Sequence, residues 1–205
     1  EAAPEPLAEV RALLEREIAE TLHVVGSWQQ AKGELASPLL DEAVEFRALR
    51  GLRRVLRILE LRYPPEPIRL VRERIEIPSR RANALEVLDT TLEPSLRPVV
   101  MPFFDDIPVD EKLARAKLPP APSTNEFVRE QCRHPNPYVV AIVLDALGRN
   151  HHALVRTEAP PLLVHRDPLV REAALVALER AAPEVAADAA TSLVGDPDPT
   201  VARRA

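Results

Sequence analysis

Apolar residues recur at helical spacing along nearly the whole chain. Leu7, Val10, Leu14, Ile18, Leu22 and Val25 form one stripe, with Glu9, Arg16 and Glu20 on the opposite side. This predicts a long helix that ends by Lys32-Gly33 or Ser37-Pro38. Pro38 then opens a second long helix to about Arg62, with its stripe at Leu49, Leu52, Val55, Leu56 and Leu59. Tyr63-Pro64-Pro65-Glu66-Pro67 is a rigid break, after which short helices are predicted at about 67–75 and 79–91. Pro94 can start another. Pro98 and Pro102 predict a bent or broken helix, because an interior proline removes a backbone hydrogen bond. The acidic run Asp105, Asp106, Asp110 and Glu111 leads into one or two helical turns to Lys117. Leu118-Pro119-Pro120-Ala121-Pro122-Ser123 reads as a loop, and Ser123-Thr124-Asn125-Glu126 caps a helix that ends at Cys132.

From there the pattern becomes a repeat. Asn136-Pro137-Tyr138-Val139, Asp167-Pro168-Leu169-Val170 and Asp198-Pro199-Thr200-Val201 follow one another at a spacing of 31 residues. Asp or Asn before Pro is a helix-start signal. The side-chain oxygen takes a free N–H of the first turn, and Pro fits where no N–H is needed. Val170, Ala174, Leu175 and Leu178 match Val139, Val143, Leu144 and Leu147 in the preceding copy. Small residues at Ala173, Ala174 and Ala177 allow a neighbouring helix to come close. A second helix is predicted after each first one, from Pro160-Pro161 in one unit and from Pro183 to Leu193-Val194 in the next. A period of this length marks stacked units, none of which can bury its apolar face alone.

The run from Asp167 to Leu178 resembles the first helix of HEAT repeats, including the short form found in phycobilisome lyases. The resemblance covers about 136–205 and weakens upstream, where Arg81, Ala84, Leu85 and Leu88 keep the pattern but Ile77 replaces the capping Asp. It implies an all-α fold, an α-solenoid of stacked antiparallel helical hairpins with an irregular long-helix N-terminal cap. Residues 1–117 would be an irregular front half with degenerate units, 118–123 a Pro-rich linker, and 124–205 regular repeats cut short inside the first helix of a unit. The block around 80–102 also resembles the HEAT segment that follows the membrane part of some bacterial nucleotide-translocase-like or major-facilitator-like transporters. That resemblance implies a cytoplasmic piece of a larger protein, membrane-associated through flanking sequence.

Composition agrees with close helix packing. Hydrophobic residues are 46% of the 205, aromatics only 3%, so the core must be Leu, Val, Ile and Ala. The 22 prolines sit at helix starts and between helices, where they punctuate. A net charge of −5 supplies no overall basic field to draw in nucleic acid. The single Cys132 excludes an internal disulfide framework, and no apolar run approaches the ~20 residues that span a bilayer.

Candidate chemistry is sparse. Arg47, Arg50, Arg54 and Arg57 share one helix face, opposite Leu49, Leu52, Leu56 and Leu59. Such a strip can hold anionic lipid headgroups or phosphates; equally, glutamates of a neighbouring helix can balance it. His134 and His165 stand at equivalent loop positions one repeat apart, and His151-His152 point in different directions. No metal site is expected. The acidic run 105–111 lacks the ligand spacing of a calcium loop. With five glycines there is no phosphate-cradling loop, there is no G-x-S-x-G elbow, and Cys132 lies in an ordinary helix end. Trp28, the only tryptophan, is expected to be buried. The resemblance therefore implies a non-enzymatic scaffold with a protein partner and no cofactor. An anionic lipid surface at the Arg strip is the alternative partner, and nucleic acid and small-molecule ligands are not expected. A HEAT-type lyase or a DNA-glycosylase-like enzyme is the rival reading, although a glycosylase wants aromatics on a basic face and aromatics are scarce here.

Overall fold

Proline sets where the helices begin. In the computed structural model, which describes residues 6–205 and their side chains from residue 8, eight of the twelve α-helices open on Pro. The helices are α1 (Pro6–Ala31), α2 (Pro38–Leu59), α3 (Pro65–Arg74), α4 (Pro78–Thr91), α5 (Arg97–Phe104), α6 (Val109–Arg115), α7 (Thr124–Cys132), α8 (Pro137–Arg149), α9 (Val155–Glu158), α10 (Pro168–Ala181), α11 (Pro183–Leu193) and α12 (Pro199–Arg204), with a 3₁₀ turn at Pro160–Val164. The described residues are all-helical, without strands. None of these helices is long and apolar enough to cross a membrane.

Two details depart from the sequence pattern. Pro94 starts no helix. Residues 94–96 form a turn, and α5 begins at Arg97 with Pro98 in its first turn, where the missing N–H is harmless. Pro102 is the tolerated interior proline of a helix only eight residues long. Pro160 likewise opens a 3₁₀ turn behind the single-turn α9, not a full second helix. Two consecutive prolines cannot donate back to the carbonyls of α9, so that helix stops at Glu158 and only a 3₁₀ turn follows.

The chain divides into two compact units, 1–26 with 44–121, and 27–43 with 122–205. α1 and α2 therefore each contribute to both. In the first unit the predicted α1 stripe is buried at Val10, Leu14, Ile18 and Leu22, together with Val55, Leu56 and Leu59 of α2. Ile68, Val71, Leu88, Val100 and Phe104 belong to the same core. Leu7 belongs to the predicted stripe, but its side chain lies outside the described residues.

In the second unit Trp28 is buried, as expected. Its indole N–H donates to Asp41 Oδ1 at 2.9 Å, and its ring meets Phe127 at a centroid distance of 6.1 Å. α8 and α10 pack extensively against each other. They run in the same direction, because their C-terminal halves meet: Arg180 reaches Asp145 at 2.6 Å, and a Cβ on Gly148 would lie 2.8 Å from Ala177 Cα. Val140, Val143, Leu144 and Leu147 of α8 and Val170, Ala174, Leu175 and Leu178 of α10 are buried. Val139, matched to Val170 by the spacing, is only half-buried, and Val140 takes its place in the core.

Candidate interaction surface

The repeated helix starts are held by one recurring device. The Nδ1 of His134 accepts the N–H of Asn136 at 3.0 Å, and the Nδ1 of His165 accepts that of Asp167 at 3.1 Å. Thirty-one residues further on, Asp196 replaces the histidine and its Oδ1 accepts the N–H of Asp198 at 2.9 Å. Each capping side chain in turn accepts an N–H two residues on, from Tyr138, Leu169 and Thr200. The histidines are thus turn-forming acceptors. Among the described residues no group of three or more His, Cys, Asp or Glu could hold a metal ion.

This turn fixes the register of α8 and α10, and so the side chains they expose. Tyr138, Ala141, Ile142 and Asp145 of α8 and Leu169, Glu172, Ala173 and Val176 of α10 line a groove of about 320 Å³, with Leu39 of α2 beside them. The two sets are the same four repeat positions taken from successive helices: 138 with 169, 141 with 172, 142 with 173, and 145 with 176. Six of the eight are apolar. Tyr138 is 67% exposed and Leu39 49%, so large apolar side chains stand open to solvent together at this groove. Sequence reasoning identified the core-facing stripe of these helices and passed over this second one. The available signal was Ala141, Ile142, Ala173 and Val176, apolar at positions the core does not use.

The two carboxylates of the groove differ. Asp145 is held by Arg149 at 2.7 Å and Arg180 at 2.6 Å. Partial burial opposes its charge, but the two guanidinium hydrogen bonds outweigh that and keep the carboxyl below the usual carboxylate range. Glu172 is half-buried, and among the described residues no cation lies within ion-pair distance of it.

The structure splits the predicted arginine strip into two pairs. Arg47 lies 3.6 Å from Glu20 and Arg54 3.4 Å from Glu17, both glutamates on α1. These arginines border the seam where α1 crosses α2 over Gly51, whose missing Cβ makes room for Thr21. Arg50 and Arg57 are exposed, and the Arg50 guanidinium carbon stands 5.8 Å from the ring centroid of Phe46, itself 59% exposed. Among the described residues neither Arg50 nor Arg57 has an acidic partner.

The acidic run is a helix start with a local ion-pair cluster. Arg115 reaches Asp105 at 3.4 Å and Glu111 at 2.6 Å. Cys132 is buried, and burial, reinforced by Glu158, pushes its thiol up to about 12, far from the thiolate a nucleophile needs.

A family model described as HEAT repeats matches residues 125–205, the segment that carries α7 to α12 and the groove. No curated protein and no solved structure matches the chain.

Proposed function

We propose that this chain is a non-enzymatic helical-repeat scaffold, its second unit a short α-solenoid of stacked hairpins, and that it binds a protein partner in the α8–α10 groove. The observation that carries this reading is the repetition itself: at 138 with 169 and at 142 with 173 both adjacent helices carry apolar side chains at least partly open to solvent, and burial of such a face favours association. The HEAT match over 125–205 supports the scaffold reading. The test is site-specific photo-crosslinking in the source cells. Benzoylphenylalanine in place of Tyr138 should give discrete adducts that disappear with Ile142→Glu, while the same probe at Glu9, exposed on α1, gives none. Equal labelling from both positions, or adducts that survive Ile142→Glu in a folded protein, would refute the proposal.

A second reading rests on Arg50, Arg57 and Phe46, which share the exposed side of α2. Two guanidinium groups without acidic partners, one of them beside an exposed aromatic ring, suit an anionic lipid surface. Binding to phosphatidylserine vesicles should then fall with salt and vanish with Arg50→Glu plus Arg57→Glu. Persistence in that double variant would end this reading.

A further inference from the structure

We infer that the occupant of the α8–α10 groove is a short amphipathic helix of the partner protein, carrying one Lys or Arg that pairs with Glu172. This deepens the proposed function and rests on it.

The form of the occupant follows from what the groove offers. Its walls are two intact α-helices, whose backbone N–H and C=O groups are already bonded along each helix. Only side chains face the ligand. An extended peptide would leave its own backbone groups without partners there, whereas a helix brings them satisfied. Spacing points the same way. Tyr138, Ala141, Ile142 and Asp145 fall at i, i+3, i+4 and i+7, and the α10 set repeats that spacing. This is the stripe by which one helix faces another, about 10 Å long over two turns. The small side chains of Ala141 and Ala173 leave room for a third helix to come close.

Charge selects among such helices. Glu172 puts one unpaired carboxylate into an otherwise apolar stripe, since Asp145 is already satisfied by Arg149 and Arg180. A wholly apolar helix would desolvate Glu172 without compensation; one with a cation on the same face would pair it. A second copy of this chain is a poor occupant. The same face of that copy brings another Glu172 and no free cation, because its arginines there are committed to Asp145.

The test is selection from a phage-displayed library of helix-forming peptides randomised at i, i+3, i+4 and i+7, panned on the intact chain. Enriched peptides should carry apolar residues at helical spacing and a Lys or Arg on the same face. Their affinity should fall about tenfold with Glu172→Lys. It should return when the peptide's basic residue is exchanged for Glu, and circular dichroism should show Glu172→Lys folded. Peptides abolished by Ile142→Glu but indifferent to Glu172→Lys, or extended proline-rich ones, would overturn the inference and leave the groove standing. Selected peptides indifferent to Ile142→Glu, or no selection at all, would overturn the groove together with the inference.

Discussion

Arg171 shows how one side chain ties a repeat together. It is buried at 8% exposure and grips Asp196 with two hydrogen bonds, 2.8 Å from Nε and 2.6 Å from Nη2. Its Nη1 donates to the carbonyl of His165 at 2.8 Å, six residues back, so the turn before α10 and the loop after α11 are pinned from one point. Arg81 does the corresponding work in the first unit. It too lies three residues after a helix-opening Pro, and it donates to the carbonyl six residues back, Ile75, at 3.1 Å, and to Phe104 at 2.5 Å. The sequence placed Arg81 at a repeat position but gave no hint of its use, because the acceptor is a backbone carbonyl with no residue-type signature. The Arg171 hydrogen bonds hold the Asp196 carboxyl below the usual carboxylate range. A depressed folded-state value gives stability that is fully present above the unfolded-state pKa, about 3.9 for Asp, and lost as pH falls through the lower folded value. Asp196→Asn should therefore lower the urea midpoint at pH 7 and flatten the loss of midpoint below about pH 4. If wild type and variant lose midpoint in parallel on acidification, the Arg171–Asp196 pair is not stabilising as described.

At the level of elements, an apolar stripe behind a helix-opening proline was enough to place α3, α4 and α11, none of which has a side-chain cap, and a capping signal sharpened the start of others. α7 is an example: Ser123 and Glu126 form a reciprocal capping box, and the helix runs to Cys132 as the residues predict. The failures were other uncapped prolines. Nothing at Pro94, Pro98 or Pro160 tells by itself whether the ring opens an α-helix, a 3₁₀ turn or nothing, because the decision depends on which neighbours supply the remaining bonds. Glycine poses a similar ambiguity, and Gly148 resolves it by contact. Late in α8, a change to Ala should gain up to about 1 kcal/mol from helix propensity. A Cβ there would lie 2.8 Å from Ala177 Cα, a backbone atom of α10 that no rotamer change can move aside. Forcing the helices apart costs typically ~1–3 kcal/mol, so packing wins. Gly148→Ala should lower the melting temperature, whereas Gly33→Ala, with nothing within 4 Å of its added Cβ, should not. A Gly148→Ala variant as stable as wild type would mean that α8 and α10 do not approach as closely as described.

For the molecule as a whole, the feature least visible in the sequence is the chain's route through its second unit. Residues 27–43 pack with 122–205, although some 80 residues separate them. The reason is physical and local to a few groups. Trp28 covers Phe127, Thr124 donates to Glu34 at 2.6 Å, and the Asn150 side chain donates to the Ala36 carbonyl at 3.1 Å. Periodicity within each segment reveals its apolar stripe but not which distant stripe meets it, so pairing of this kind escapes inspection of one sequence. It has a consequence for dissection. A fragment from Pro122 to Ala205 contains every copy of the repeat, yet it lacks the segment that buries Phe127. Loss of a packed tryptophan in a core costs about 3–5 kcal/mol, a large part of the stability of a small helical unit. The fragment should melt well below the intact chain. A synthetic peptide of residues 27–43, added in excess, should raise its melting temperature with concentration, because whatever binds only the folded form stabilises it by mass action. The fluorescence of Trp28 should shift to the blue as the peptide is taken up, since the indole leaves water for the pocket against Phe127. A fragment that melts at the temperature of the intact chain, or one indifferent to the peptide, would show that the repeats need no help from the long N-terminal helices.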